Sequence, residues 1–253
     1  MFKDEVELVV NASKAKVKLL SNNLFGYFLS SILAGMYVGF GILLIFSIGG
    51  LLKDFSSAKI IMGLAFGIAL SLVIIAGSEL FTGNNFIMIV GLFKKEVKLA
   101  DTIKVWFISY FGNLVGSIIV ALVFYLSNLA IGDIGEFIAK TTYGKMNLSV
   151  SALIFRGILC NTLVCLAVWC SFKCKSESAK LIMIFWCLFA FITSGYEHSV
   201  ANMTLMTVGL LNPFNFDISV IGYIYNLLFV TIGNMIGGIL FVALPYCIIS
   251  SNK

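Results

Sequence analysis

Residues 77–85 read Gly-Ser-Glu-Leu-Phe-Thr-Gly-Asn-Asn and lie between two apolar stretches, IIMGLAFGIALSLVIIA and FIMIVGLF. Residues 194–203 read Ser-Gly-Tyr-Glu-His-Ser-Val-Ala-Asn-Met and carry the chain's single histidine, His198. A threonine hydroxyl and a neutral imidazole can each donate and accept a hydrogen bond. Thr82 and His198 are therefore the groups that could bind a small solute in an apolar setting, or exchange a proton with it. An ionisable residue inside an oily run is a functional candidate by default. Hydrolysis is a poor alternative: no serine–base pair is evident, and His198 and Ser199 are neighbours on the chain. The six cysteines form no C-x-x-C metal or redox pair and read as small buried hydrophobes; neither enzymatic activity nor a cofactor is expected.

These residues recur. Gly77-x-Glu79-x4-Asn84 is echoed by Gly195-x-Glu197-x4-Asn202, 118 positions later. Gly112-Asn113 and Gly116 match Gly233-Asn234 and Gly237 at an offset of 121, and Gly35 and Gly157 lie 122 apart. Three matches at nearly one offset imply two homologous halves. Three spans per half would place the halves in opposite orientations, an inverted-topology repeat.

The elements that must carry these residues are membrane helices. The chain has 253 residues, 60% hydrophobic and 11% charged, with mean hydropathy +1.05. Soluble domains are about 25% charged. Six runs exceed the roughly 20 apolar residues that span a bilayer: 24–50, 58–93, 103–131, 148–172, 179–211 and 217–250. Charge throughout the first 20 residues argues against a cleavable leader, and residues 1–22 read as an amphipathic cytoplasmic helix. Twelve lysines (Lys3, Lys14, Lys16, Lys18, Lys94, Lys95, Lys98, Lys104, Lys173, Lys175, Lys180 and Lys253) fall on one side, against Lys53, Lys59, Lys140 and Lys145 on the other. The bias puts both termini in the cytoplasm. It is a topology signal and argues for no nucleic-acid partner. The expected organisation is one channel domain over 1–253, with a first repeat at 24–131 and a second at 148–250. Helices 2 and 5 are broken at mid-membrane, at 77–85 and 195–203. Irregular backbone at that depth must line a cavity or be buried in protein. Opposed helix N-termini would make the centre slightly electropositive, which suits a small anion or a small neutral solute.

The stretches IIAGSELFTG (74–83), GILCNTLVCLA (157–167) and SGYEHSVANM (194–203) resemble the signatures of the formate/nitrite transporter family. The resemblance covers essentially the whole chain. It implies an all-α, aquaporin-like fold of six membrane helices in two inverted three-helix repeats, assembled as a homopentamer in the cell membrane. It also implies a pathway for small anions, with Thr82 and His198 at the centre and Lys145 in a vestibule supported by Glu197 and Asn202. Phe66, Leu70, Leu80, Phe81, Val164 and Phe191 fall at the apolar constrictions. Branches of the family conduct formate, nitrite, lactate or hydrosulfide, and overall likeness favours the hydrosulfide branch found in clostridia. Thr162 departs from the family pattern and is expected to alter packing around Asn161. From the residues alone, Glu79 and Glu197 are expected to brace the breaks by accepting freed backbone N–H groups. Asn84 and Asn202 are expected to satisfy freed backbone as well. Lys145 alone would read as a solvated loop lysine, and Arg156 as a residue that snorkels or pairs near the surface.

Overall fold

The computed structural model describes residues 1–251; Lys253, counted above for topology, lies outside them. The described residues form only helices and connecting turns. An amphipathic helix α1 (Lys3–Asn22) precedes the first span α2 (Leu24–Leu51). The second span consists of α3 (Ala58–Ala65), α4 (Ile68–Leu72), a π-helical turn (Val73–Gly77), an extended link and α5 (Phe81–Phe93). The third span is α6 (Leu99–Leu126).

The second half repeats this plan. A surface helix α7 (Gly132–Met146) precedes the fourth span α8 (Val150–Lys173). The fifth span is α9 (Glu177–Ser194), a link, and α10 (Ser199–Leu211). The sixth runs from α11 (Val220–Gly238) through a second π-helical turn (Ile239–Ala243) into α12 (Leu244–Ser250). Six helices or helix chains are long and apolar enough to cross a membrane, so the chain is a multi-pass membrane protein.

The breaks are shorter than expected. Gly77 and Gly195 adopt the left-handed conformation, with φ of 79° and 78°, which glycine enters without a Cβ clash. Only residues 78–80 and 195–198 then remain non-helical. Asn84, Asn85 and Asn202 are therefore on helices, not in loops. The third span also ends at Leu126, because residues 127–131 form a turn leading into α7.

The repeat is real, but one matched pair was a helical turn out of register. Gly112 packs on Ser31, and its counterpart Gly233 packs on Gly157. Likewise Gly116 meets the Ile32 carbonyl and Gly237 the Ile158 carbonyl. The first and fourth spans thus align at 126, not the 122 expected from Gly35 and Gly157. Small residues at these crossings let helix backbones approach closely, as apolar surroundings provide no hydrophobic drive for association.

Candidate functional site

Each break is held by one asparagine from the following span. Asn113 Oδ1 accepts the Phe81 N–H at 2.9 Å, while its Nδ2 donates to the carbonyls of Ser31 (2.7 Å) and Glu79 (2.9 Å). Asn234 does the same in the other half. Its Oδ1 accepts the Ser199 N–H at 2.9 Å, and its Nδ2 donates to the carbonyls of Gly157 and Glu197, both at 2.9 Å. A side-chain amide is one of the few groups that can receive and donate at once. It therefore replaces the helical bonds that each break removes.

The glutamates brace the breaks, but not as expected. Their carboxylates accept from side chains. Glu79 takes both oxygens to Lys16 Nζ (2.8 and 2.7 Å), one also to Tyr27 Oη (2.9 Å) and to Asn84 Nδ2 (3.1 Å). Glu197 accepts from Lys145 Nζ (2.7 Å) and Asn202 Nδ2 (2.7 Å). A buried carboxylate is tolerated only when paired and hydrogen-bonded. That requirement accounts for a lysine and an asparagine at each site, so the two asparagines serve carboxylates where freed backbone was expected. Lys16, on α1, mirrors Lys145, on α7. Both surface helices exist in part to deliver that lysine.

α5 and α10 start at these breaks and meet end to end. Thr82 Oγ1 and His198 Nε2 are 3.0 Å apart. His198 also caps α10, its Nδ1 accepting the Ala201 N–H at 3.1 Å. That bond leaves Nδ1 without a proton, so the neutral ring carries its hydrogen on Nε2 and donates it to Thr82. The Thr82 hydroxyl hydrogen is then available for a further partner. Thr82 is also anchored through its carbonyl, which accepts from Asn161 Nδ2 at 3.3 Å. Thr162 does not disturb this, since its hydroxyl bonds back to the Ile158 carbonyl at 2.8 Å within its own helix.

Beside the pair lies a cavity of about 10 Å³, lined by Val38, Phe66, Leu70, Leu80, Val164 and Phe191 with His198. That is about the space one water-sized probe occupies. The backbone N–H groups of Leu80 and His198, 118 positions apart, find no acceptor among the described residues. Buried orphan N–H groups are rare in native structures. Here two of them belong to residues lining one small cavity.

Larger cavities flank the central one. On the α1 side, about 440 Å³ is lined by Lys16, Glu79, Lys180 and Val168, and shares Leu70 and Leu80 with the centre. On the α7 side, about 600 Å³ is lined by Lys59, Lys145, Arg156, Glu197 and Asn202, and shares Phe191 and His198 with it. Phe66 and Phe191 meet edge to face, centroids 5.4 Å apart. Phe81 is placed differently from the other expected constriction residues. Its ring packs edge-on against Tyr110 at 5.0 Å and lines none of these three cavities. Arg156 has no ion-pair partner among the described residues; it faces the α7-side cavity, and its carbonyl accepts the Glu197 N–H at 3.3 Å. The six cysteines are free thiols, and no cluster of potential metal ligands occurs among the described residues.

Comparison with known proteins agrees with this architecture. A family profile described as "Formate/nitrite transporter" matches residues 3–248. "Nitrite transporter NirC" of Salmonella typhimurium is 40% identical over 247 residues, covering 97% of this chain and 91% of its own. A solved structure titled "FNT family ion channel" superposes with TM-score 0.94 at 39% identity, covering 99% of this chain and 100% of that one. "Pentameric formate channel with formate bound" superposes at TM-score 0.79 and 28% identity, covering 89% and 96%. The breaks, the inverted halves and the aquaporin-like packing are thus features of a known membrane architecture. The chain belongs to the formate/nitrite transporter family, whose members are channels and transporters, not enzymes.

Proposed function

We propose that this protein passes small monovalent anions of weak acids through the path from one flanking cavity, via the Thr82–His198 centre, to the other. The observation that carries the reading is a pair of unpartnered N–H groups, of Leu80 and His198, whose residues both line a cavity closed by apolar side chains. A water there would leave its own hydrogens facing apolar side chains, because the groups on offer are donors. A small anion suits them better, because fixed N–H dipoles offset the cost of removing its water.

The pathway has four stages. Cationic side chains concentrate the anion in a vestibule. Leu70, Leu80 and Val164 on one side, or Phe66 and Phe191 on the other, strip its hydration as hydrophobic constrictions. At the centre, the two N–H groups and the Thr82 hydroxyl bind it, with His198 Nε2–H orienting Thr82. It then leaves across the second apolar seal. Lys145, Glu197 and Asn202 form the vestibule support on the α7 side, and Lys16, Glu79 and Asn84 the equivalent on the α1 side. Phe81 acts behind the lining as packing.

Hydrosulfide is the substrate that overall resemblance favours. Nitrite is the second reading, favoured by the 40% identity to a nitrite transporter. The assembly is a homopentamer in the cell membrane, as in the pentameric formate channel of the same architecture. Residues 1–251 form one channel domain, and both termini face the cytoplasm, following the lysine asymmetry. Initial uptake rates of hydrosulfide, nitrite, formate and chloride into proteoliposomes test the ranking. Fastest uptake of hydrosulfide supports the first substrate and of nitrite the second. Chloride equal to both would remove the weak-acid selectivity.

A further inference from the structure

Lys145 and Lys16 are the two vestibule lysines, yet neither ammonium is free. Each is bonded to a buried glutamate at 2.7 Å. A paired charge draws an incoming anion much less than a free one, because the carboxylate beside it cancels most of its field. Free positive charge must come from elsewhere.

A second lysine pair meets the requirement. Ser57-Ala58-Lys59 at the head of α3 recurs as Ser178-Ala179-Lys180 at the head of α9, 121 positions later. The inverted repeat sends Lys59 to the α7-side cavity and Lys180 to the α1-side cavity. The surroundings of the two differ. Lys180 Nζ is 2.9 Å from Glu177. The residue equivalent to Glu177 in the first half is Ser56, which carries no charge. Lys59 has no ion-pair partner among the described residues. It leans over the second break instead: a Cβ on Gly195 would come within 2.6 Å of Lys59 Nζ. The equivalent Gly77 has nothing within 4 Å. The Lys59 ammonium is thus aimed at the mouth of the pathway and not at lipid. Arg156 lines the same cavity. The α7-side cavity therefore carries three cations (Lys59, Lys145, Arg156) against Glu197, and the α1-side cavity two (Lys16, Lys180) against Glu79, with Lys180 tied to Glu177 as well.

We propose that Lys59, with Arg156 beside it, is the anion-recruiting residue of the α7-side mouth, and that Glu177 holds its repeat partner Lys180 out of that role, so that the two mouths capture anions unequally. This rests on the anion pathway proposed above.

The test is unidirectional nitrite flux from each mouth, in proteoliposomes of known protein orientation, at about 0.01 M and about 1 M ionic strength, where charges act over about 30 Å and about 3 Å respectively. Lys59→Gln should lower entry from the α7 side about two- to fivefold at low ionic strength, as expected for one charge several ångströms from the anion in water. The difference should vanish at high ionic strength, and Lys59→Arg should restore the rate. Glu177→Gln should raise entry from the α1 side up to about twofold at low ionic strength. Wild-type rates from Lys59→Gln at low ionic strength would overturn the proposal. So would a loss of equal size at both ionic strengths, which would mark a structural role. Wild-type protein that passes no nitrite, formate or hydrosulfide would instead sink the anion pathway itself, before any variant is compared.

Discussion

His198 Nδ1 accepts the Ala201 N–H at 3.1 Å, while Nε2 of the same ring lies 3.0 Å from Thr82 Oγ1. One side chain thus caps a helix and completes the polar centre. The Nδ1 bond also assigns the ring a fixed role. To become imidazolium it would have to give up the cap, so the neutral ring has its Nε2–H directed to Thr82.

His198→Asn should therefore keep the transport pH profile of the parent protein, at reduced rate. Asparagine is among the best N-cap residues and can still accept the Ala201 N–H. His198→Phe removes both bonds and should abolish flux, with about 1 kcal/mol of stability lost with the cap. Flux measured from pH 5 to 8 decides. A flattened profile in a folded, active His198→Asn protein would show that the imidazole titrates during transport.

Asn113 and Asn234 are each expected to be indispensable to folding. Asn113→Ala would leave the Phe81 N–H and the Glu79 carbonyl at the break without partners, at roughly 1–3 kcal/mol per unsatisfied group. Asn113→Asp preserves the acceptor for Phe81 but loses both donors, and should destabilise nearly as much. Thermal unfolding in detergent reads the effect. An Asn113→Ala protein that melts within a degree or two of the parent would refute the bridging role.

Two of the four lysines of α1, Lys14 and Lys16, provide an internal comparison. Lys16 and Glu79 pair with side chains only 14% and 12% exposed, whereas Lys14 and Glu96 pair at 51% and 47%. Removing one partner of a buried pair costs about 3–5 kcal/mol, while exposed pairs contribute about 0–1 kcal/mol. Lys16→Met should lower thermal stability and loosen α1 to proteolysis, and Lys14→Met should do neither. Glu79→Gln combined with Lys16→Met should recover part of the loss, since no buried charge is then left alone. Equal effects from both lysines would place Lys16 on an ordinary solvated face.

Phe191 lines both the central cavity and the α7-side cavity. Phe191→Ala should admit carboxylates larger than formate and cost about 3–5 kcal/mol of stability. Uptake of a graded series of carboxylates checks the size limit. An unchanged cut-off in a folded variant would exclude Phe191 from the filter.

The breaks were legible because glycine, glutamate and asparagine in a run such as IIMGLAFGIALSLVIIA can be explained in few ways. Their length was not, because a motif does not reveal where helical bonding resumes; Asn84 and Asn202 reach their carboxylates from the first turns of new helices. Asn113 and Asn234 stood out as repeat marks, but their bridging depends on helix crossing geometry that no local pattern encodes. Lys16 was hidden among the charges of an amphipathic helix. The signal that could have found it was the parallel with Lys145, which also precedes its span on a surface helix. The Ser-Ala-Lys repeat at 57–59 and 178–180 was equally readable and was missed, as a lone lysine at a helix start is ordinarily a solvated one. Phe81 was misplaced because adjacent residues at a helix start point in different directions, and Leu80 takes the lining position.

On the proposed pathway a small anion, and not a neutral solute, passes the Thr82–His198 centre. Electrical current through the purified protein in a planar bilayer, under a formate or nitrite gradient, tests it together with osmotic water flux in vesicles of the same preparation. An anion-carried current or electrically coupled uptake well above protein-free membranes is expected, lost in His198→Phe, with water permeability near background. Rapid water or glycerol flux without anion movement would contradict it and make the centre a neutral-solute filter.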